Sequence, residues 1–203
     1  MNQILLIIEA LKNIKTVGTV TFSSKALVKK MIAPIDFTTA KCIVELGAGN
    51  ACITKGLLNN MGKDTKLLSF EINDRFYQLM KEIGDSRLYP IHDSAEHLEA
   101  YLDEYGFEQA DYVISALPLV WLSDELNEKI LRAVQKRLKP GGIFVQLSYK
   151  RNTYKKFEEY FGKVDTRFCL WNLPPGFVFA CPQLATKQLS INDSVVSAES
   201  KMI

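Results

Sequence analysis

The sequence predicts an α/β fold: a doubly wound, mostly parallel sheet of seven strands whose last strand is antiparallel. Five short apolar segments alternate with amphipathic segments between residues 41 and 161, a pattern typical of parallel β/α units. Two further apolar runs, 167–171 and 177–181, are separated by only five residues. Because a parallel crossover needs a dozen residues or more, these two runs predict a terminal hairpin.

Each predicted element follows from its own pattern. Strands are expected where apolar residues dominate: 41–46, 67–72, 87–91, 111–115 and 143–147. Helices are expected after them: from about residue 50, then 73–82, 95–105, 124–138 and 154–161. The fourth of these helices has apolar residues every four positions, Ser123 as its candidate N-cap, and Pro140-Gly141-Gly142 as its end. Two more helices, 2–15 and 24–32, precede the first strand.

Length and composition limit the class of protein. The chain has 203 residues, of which 47% are apolar and 24% charged, as expected for one globular domain. We divide it into a helical N-terminal extension (1–34), the α/β domain (35–186) and a polar tail (187–203). The net charge of +2 is too small to indicate nucleic-acid binding by itself.

Cysteines, histidines and apolar runs bear on location and metal binding. The four cysteines form no C-x-x-C pair, which favours buried thiols in a reducing compartment. The two histidines are five residues apart, so we expect no histidine-based metal centre. The longest apolar run, 4–8, is far shorter than the ~18 residues of a membrane span. We therefore expect a cytoplasmic protein, or one on the inner face of the membrane.

The turn after the first predicted strand carries the clearest ligand signal. Gly47 and Gly49 allow a ligand to approach the backbone, at the edge of the sheet where such folds bind ligands. The dinucleotide fingerprint G-x-G-x-x-G fails because Cys52 stands at its third glycine. Glu71 closes the next predicted strand, 22 residues after Gly49, where an acid can accept from both ribose hydroxyls. This pattern predicts an adenosine-bearing ligand; the alternative is a tight turn with a surface-capping Glu71.

Five segments in order resemble the successive motifs of class I S-adenosylmethionine-dependent methyltransferases. They are Glu45-Leu-Gly-Ala-Gly, Phe70-Glu71-Ile72-Asn73, Asp93-Ser94-Ala95, Asp111-Tyr-Val-Ile-Ser and Leu138-Lys-Pro-Gly-Gly. The resemblance covers about residues 40–150 and implies a Rossmann-like fold with S-adenosylmethionine as the cofactor. The family's frequent third glycine is Ala51 here.

The resemblance also implies a cofactor site. Its members are Glu45, Gly47, Ala48, Gly49, Glu71, Ile72, Asp93 and Ser94. By the resemblance, Glu45 lies near the methionine part and Glu71 holds the ribose. Ile72 packs on the adenine, and Asp93 accepts a hydrogen bond from its amino group.

A narrower likeness points to bacterial phospholipid N-methyltransferases. It rests on segments 17–24, 115–119, 144–149 and 172–178, and it implies methylation of an aminophospholipid head group such as phosphatidylethanolamine. The same segments look distantly like ribosomal RNA adenine dimethylases. Their Asn-Leu-Pro-aromatic motif becomes Ala116-Leu117-Pro118-Leu119 here, without the side-chain acceptor and the stacking ring that suit a planar base.

The candidate acceptor site follows the fourth predicted strand. We expect the backbone carbonyls from Ser115 to Leu117 to face the protons of a primary amine, with Pro118 fixing the turn. Tyr149, at the end of the fifth predicted strand, is either a wall of the pocket or a packing residue. The alternative for Leu117-Pro118 is simply the end of a strand.

Three functions remain open at this point. The favoured one is direct displacement of a methyl group by a lipid amine, driven mostly by positioning and desolvation. The others are an RNA adenine methyltransferase and a non-catalytic S-adenosylmethionine-binding protein. Residues 1–41 contain six lysines and two acids, so the 2–15 helix either binds an anionic membrane surface or caps the core. We regard nucleic acid as the less favoured partner, and the sequence does not indicate an oligomeric state.

Overall fold

The computed structural model describes residues 23–184, apart from the side chain of Val120. The helix expected over 2–15 and the polar tail expected after residue 187 lie outside these residues. The proposed domain boundaries therefore stay predictions.

The described residues form a seven-stranded sheet with the strand order β3-β2-β1-β4-β5-β7-β6. The strands are β1 (Cys42–Leu46), β2 (Lys66–Phe70), β3 (Leu88–Ile91), β4 (Ala110–Ser115), β5 (Leu138–Ser148), β6 (Asp165–Cys169) and β7 (Gly176–Pro182). Strands β1 to β5 pair in parallel, and β7 is antiparallel to both β5 and β6. This arrangement confirms the predicted fold class, including the antiparallel last strand.

The described residues include six α-helices, one before β1 and one after each of β1 to β5. They are α1 (Lys25–Ile32), α2 (Cys52–Leu58), α3 (Asp74–Lys81), α4 (Leu98–Glu104), α5 (Asp124–Arg137) and α6 (Tyr154–Phe161). Polar side chains accept hydrogen bonds from the first turns of three of them: Ser24 for α1, Asn73 for α3 and Ser123 for α5. The Ser123 cap was predicted, because a short hydroxyl side chain before an amphipathic run satisfies an otherwise unpaired backbone amide.

The core consists of two apolar layers, one on each face of the sheet. Side chains of a strand alternate between faces, so consecutive residues of β1 belong to different layers. Val44 and Leu46 face the layer that α4, α5 and α6 cover. Ile43 faces the layer that α1, α2 and α3 cover. Among the described residues, no helix is long and apolar enough to cross a bilayer.

Several strand boundaries differ from the predicted ones, and three of these differences move residues of interest into or out of a strand. Strand β5 begins at Leu138, not at 143, because Leu138 pairs with Ala110 before a register shift that accommodates Pro140-Gly141-Gly142. Strand β2 ends at Phe70, so Glu71 lies just beyond it. Strand β6 covers Asp165–Cys169, which leaves the apolar residues 170–171 in the following loop.

Candidate active site

A cavity of about 400 Å³ opens at the carboxyl edge of the sheet, a volume typical of small-molecule sites. Its wall includes the segments that directly follow β1 to β5: Gly47–Asn50, Glu71–Ile72, Asp93–Ala95, Ala116–Leu119 and Tyr149–Lys150. The strand order reverses between β1 and β4, so the cavity lies at the switch point where open α/β sheets bind ligands. Among residues 23–184, no group of histidine, cysteine, aspartate or glutamate side chains is arranged to hold a metal ion.

The turn after β1 brings the backbone to the edge of the cavity. Gly47 and Gly49 have φ angles of +81° and +53°, in the left-handed region that favours glycine. The amides of Gly47 and Ala48 both donate to the carbonyl of Phe70, at 2.9 and 3.1 Å. A Cβ atom on Gly49 would meet no protein atom within 4 Å. The open space beside Gly49 is therefore available to a ligand.

Glu71 joins this turn to the end of β2. Its Oε2 accepts from the amide of Gly49 at 2.7 Å, and its Oε1 accepts from the amide of Asn73 at 2.8 Å. Burial raises the pKa of Glu71, although these backbone hydrogen bonds oppose the rise. A carboxylate has about four acceptor positions, so the bonds to the backbone of Gly49, Ile72 and Asn73 do not use all of them. Glu71 lines the cavity and can still accept from a hydroxyl group there.

Ile72, Asp93 and Ser94 line the neighbouring part of the cavity, as the sequence predicted for the cofactor site. Asp93 Oδ1 accepts from the amide of Ser94 at 2.7 Å and contacts His97 Nδ1 at 3.0 Å. Its Oδ2 accepts from the hydroxyl of Tyr101 at 3.1 Å. Burial opposes ionisation, but these hydrogen bonds lower the pKa of Asp93 overall. Asp93 is thus held ionised, and its role toward an adenine amino group stays a prediction.

Glu45 does not lie on the cavity wall. Its side chain is buried beneath the glycine turn, where Oε2 accepts from Thr54 Oγ1 at 2.7 Å and from Ser69 Oγ at 2.5 Å. Its Oε1 has no hydrogen-bond partner. Burial raises the pKa of Glu45 to about 7. Glu45 therefore joins β1 to Thr54 on α2 and Ser69 on β2, and its place near the methionine part of the cofactor stays a prediction.

We expect the stability of the protein to fall between about pH 4.5 and pH 7 because of Glu45. The folded state keeps a proton on Glu45 up to about pH 7, whereas the unfolded chain loses it near its ordinary pKa, so folding is less favourable as pH rises. The Glu45→Gln variant stays neutral and should lack this part of the fall, on the order of 1–3 kcal/mol. Urea unfolding of both proteins across this range measures it. The other titrating groups, Glu71 included, are common to both proteins, and identical pH profiles would contradict the assignment.

The segment after β4 forms the second end of the cavity. Ala116, Leu117 and Pro118 line it, but Ser115 is fully buried, and its Oγ accepts from the amide of Leu117 at 3.3 Å. The carbonyl of Leu117 accepts from Gln146 Nε2 and from the amide of Leu119, at 2.9 and 2.8 Å. Since a carbonyl oxygen has two lone pairs, that of Leu117 is unavailable to a substrate amine. The prediction that the backbone carbonyls from Ser115 to Leu117 face a substrate amine is therefore corrected for Leu117.

Most of the remaining wall at this end is apolar. Its residues are Leu119, Trp121, Leu122, Leu126, Ile130, Leu147 and Phe157. Tyr149 stands among the cavity residues while remaining partly exposed, so it is a wall residue, not a core residue. Burial raises the pKa of Tyr149 although a hydrogen bond with Asn172 opposes the rise, so its phenol remains protonated at neutral pH.

Several cavity residues were not predicted as site residues. They include Asn50, Phe76, Gln146, Leu147 and Thr153. Gln146 was detectable in principle, because a polar residue inside the apolar run Ile143–Leu147 indicates a specific hydrogen-bond partner. Phe76 carries no such signal, since an aromatic residue on an amphipathic helix usually packs in the core.

The amino-acid sequence is similar to that of a lipid-modifying enzyme. It is 31% identical over 162 residues to the ornithine lipid N-methyltransferase of Singulisphaera acidiphila, covering 78% of this chain and 84% of that protein. A comparison with models of protein families finds no match.

Solved structures share the fold at low sequence identity. The O-methyltransferase from Bacillus cereus in complex with SAH has a TM-score of 0.65 at 12% identity, covering 89% of this chain and 90% of that one. The N-methyltransferase NodS from Bradyrhizobium japonicum has a TM-score of 0.61 at 12% identity, covering 78% and 94%. With the sequence relationship above, the chain belongs to the class I S-adenosylmethionine-dependent methyltransferases, in the N-methyltransferase family of its Singulisphaera relative, and its cofactor is S-adenosylmethionine.

Proposed function

We propose that this enzyme N-methylates the primary amine of a membrane lipid head group, with phosphatidylethanolamine as the favoured substrate. The observation that carries the proposal is the composition of the second end of the cavity, after β4, which we call the acceptor end. Its wall is mostly apolar, and small Ala116 stands where a base-methylating enzyme would have a side-chain acceptor. The similarity to an ornithine lipid N-methyltransferase supports an amine-bearing lipid and makes ornithine lipid the second substrate to test.

The cavity residues fit the cofactor. Glu71 keeps acceptor capacity for the ribose hydroxyls, and the space beside Gly49 admits a ligand against the backbone. Ile72 supplies an apolar surface for the adenine, and Asp93 an ionised acceptor beside it. When bound, S-adenosylmethionine supplies an electrophilic methyl group for direct displacement by an amine.

The protein's contribution to this reaction is positioning and exclusion of water. Pro118 and the twice hydrogen-bonded carbonyl of Leu117 hold the segment between the two ends of the cavity in one conformation. The apolar wall disfavours a charged ammonium ion, so the amine loses its proton to solvent before it enters as the neutral nucleophile. The methylated product forms as an ammonium ion and passes its extra proton to solvent when it leaves. Such orientation and desolvation are the main sources of rate enhancement when no base is needed at the reacting atom.

The alternatives predict different substrates. A ribosomal RNA adenine requires an acceptor and a stacking ring near Pro118, and Leu119, at the aromatic position, is buried against the core. A non-catalytic binding protein would bind the cofactor and transfer no methyl group.

A lipid substrate would place the enzyme at the inner surface of the cytoplasmic membrane, and we include that location in the proposal.

The experiment compares wild type with Ala116→Asn, using labelled cofactor and three acceptors: phosphatidylethanolamine vesicles, ornithine lipid vesicles and small-subunit ribosomal RNA. We expect wild type to methylate lipid and not RNA. The larger polar side chain at position 116 should narrow the acceptor end and lower lipid methylation about tenfold or more. The matched control Ala116→Gly adds no bulk and should keep most of the activity.

Transfer to RNA by wild type, without transfer to either lipid, would contradict the proposal. So would a gain of RNA methylation in Ala116→Asn, since the asparagine would then restore a missing base acceptor. Methylation of ornithine lipid alone would keep the lipid amine and replace the favoured head group.

A further inference from the structure

The loop between β6 and β7 exposes large apolar side chains. Trp171 is 79% exposed, Leu173 72%, Leu170 61%, and the neighbouring Phe168 on β6 50%. We call these four residues the apolar tip. Single exposed apolar residues are common on proteins, but a contiguous group usually marks an interaction site.

The apolar tip is held in place from below. Asn172 lies between Trp171 and Leu173 in the chain and is itself buried. Its Oδ1 accepts from the amide of Ser24 at 3.0 Å, and its Nδ2 donates to the carbonyl of Pro174 at 2.8 Å. These bonds tie the loop to the start of α1. The flanking side chains therefore point outward from an anchored loop.

Exposed basic residues lie on the segments that flank the apolar tip at this edge of the sheet. Segments 146–157 and 166–177 together contain five lysines and arginines and no acidic residue. Lys150 and Arg151 follow β5, Arg167 precedes Phe168 on β6, and all three are exposed. An exposed apolar group with a tryptophan, at a sheet edge that also carries exposed cations, is the composition that suits the interface of an anionic bilayer.

The apolar tip and the cavity lie at the same edge of the sheet. Strand β6 runs parallel to β5, because both are antiparallel to β7, so the loop after β6 leaves from the carboxyl edge. Tyr149, on the cavity wall, would lie 3.4 Å from a Cβ atom on Gly176, the residue at which the loop ends. A surface bound by the apolar tip would therefore face the cavity.

We propose that the apolar tip inserts into the interface of an anionic membrane and holds the cavity against it, so that a lipid amine reaches the cavity while its acyl chains stay in the bilayer. The catalytic purpose of this contact rests on the proposed lipid substrate. The contact itself depends only on apolar insertion and charge. A second copy of the chain is the competing occupant of this surface.

The test is sedimentation with phosphatidylglycerol vesicles, which are anionic and carry no amine, so that binding does not depend on a substrate. We expect the double variant Trp171→Ser/Leu173→Ser to bind at least about tenfold more weakly than wild type. Lys150→Gln/Arg151→Gln should also bind more weakly, and wild-type binding should weaken with salt. The control Leu79→Ser, at an exposed leucine on α3, should bind as wild type does.

Two further measurements separate the possible failures. Calorimetry with S-adenosylmethionine checks that the variants of the apolar tip are folded. If the double variant does not bind the cofactor, the single variant Leu173→Ser takes its place. A water-soluble short-chain phosphatidylethanolamine should be methylated equally by wild type and the tip variants. If no protein methylates it while the vesicle results hold, the proposed substrate fails and the membrane contact stands.

Equal vesicle binding by wild type and the double variant would overturn the proposal. The same holds if light scattering detects a wild-type dimer that the double variant dissociates, since the apolar tip would then be covered by a second copy.

Discussion

Replacing Glu71 by alanine is expected to weaken the binding of S-adenosylmethionine by about 1–3 kcal/mol, or roughly 5- to 150-fold in Kd. The carboxylate accepts from the amides of Gly49 and Asn73 and keeps acceptor capacity for the ribose. Its removal leaves these amides and the buried hydroxyls without a charged acceptor, and such unpaired groups carry the full cost of desolvation. Isothermal titration calorimetry measures the change.

Asp74→Ala is the matched control for charge. Asp74 lies three residues further along, at the start of α3, and its side chain is exposed. Removing this exposed carboxylate should change the Kd by less than about twofold. If Glu71→Ala bound S-adenosylmethionine as tightly as wild type, Glu71 would not be part of the cofactor site. If both variants lost the same affinity, the effect of Glu71 would come from its charge and not from contact with the ribose.

The Gly47→Ala variant is expected to lose methyl transfer about 100-fold and cofactor affinity about tenfold. The left-handed backbone at φ +81° costs an alanine about 1–2 kcal/mol. In addition, the new Cβ atom would lie 2.8 Å from Leu117 Cδ2, so the end of the Leu117 side chain, on the cavity wall, must shift. Leu117 lies between the cofactor end and the acceptor end, and displacements of about 1 Å at such a point can cost 10²-fold in rate.

Gly106→Ala separates backbone strain from this collision. Gly106 has a nearly equal φ of +77°, and a Cβ atom there would meet no protein atom within 4 Å. Both variants should lose similar stability in urea unfolding, but Gly106→Ala should keep wild-type kcat and Kd. If the two variants lose activity to the same extent, strain alone explains the loss, and the contact with Leu117 is unimportant.

The fold was predictable because its elements depend on burial patterns that any window of the chain displays. Leu126, Ile130 and Val134 recur every four residues, and all three are buried on α5. The same patterns placed Gly47 and Glu71 at neighbouring strand ends, where the structure has them in one cavity. A motif gives the position of a residue along the chain. Its place at the end of a parallel strand then puts that residue at the carboxyl edge of the sheet, next to the residues that end the neighbouring strands.

The direction of side chains was less predictable. Glu45 belongs to the motif, but it points beneath the turn toward Ser69, its partner directly across β1 and β2. A serine inside the apolar run of β2 was the available signal for a buried polar partner. The hydrogen bond from Gln146 to Leu117 joins residues 29 positions apart, and only tertiary packing brings them together.

The boundary of β6 illustrates a different limit. Leu170 and Trp171 extend an apolar run, and the sequence placed them in the strand. In the structure β6 ends at Cys169, and both residues are exposed in the loop. An apolar run in the sequence shows only that its residues are hydrophobic. It does not distinguish residues buried in the core from residues exposed on a surface that binds a partner.

The hydrogen bond between Gln146 and the Leu117 carbonyl matters for protein engineering. The cofactor-binding segments precede residue 117, whereas Tyr149 and the apolar tip belong to the segment 138–182. A chimera that replaces 138–182 with the corresponding segment of a relative would exchange the part of the acceptor side that holds Leu147, Tyr149 and Phe157. It would keep 116–130 and leave the cofactor side intact. The segment taken from the relative must also carry a hydrogen-bond donor at the position of Gln146. Without it, the carbonyl of Leu117 would lose this hydrogen bond, and the segment after β4 would no longer be held in place. Chimeras chosen by this single position should retain cofactor binding while changing acceptor preference.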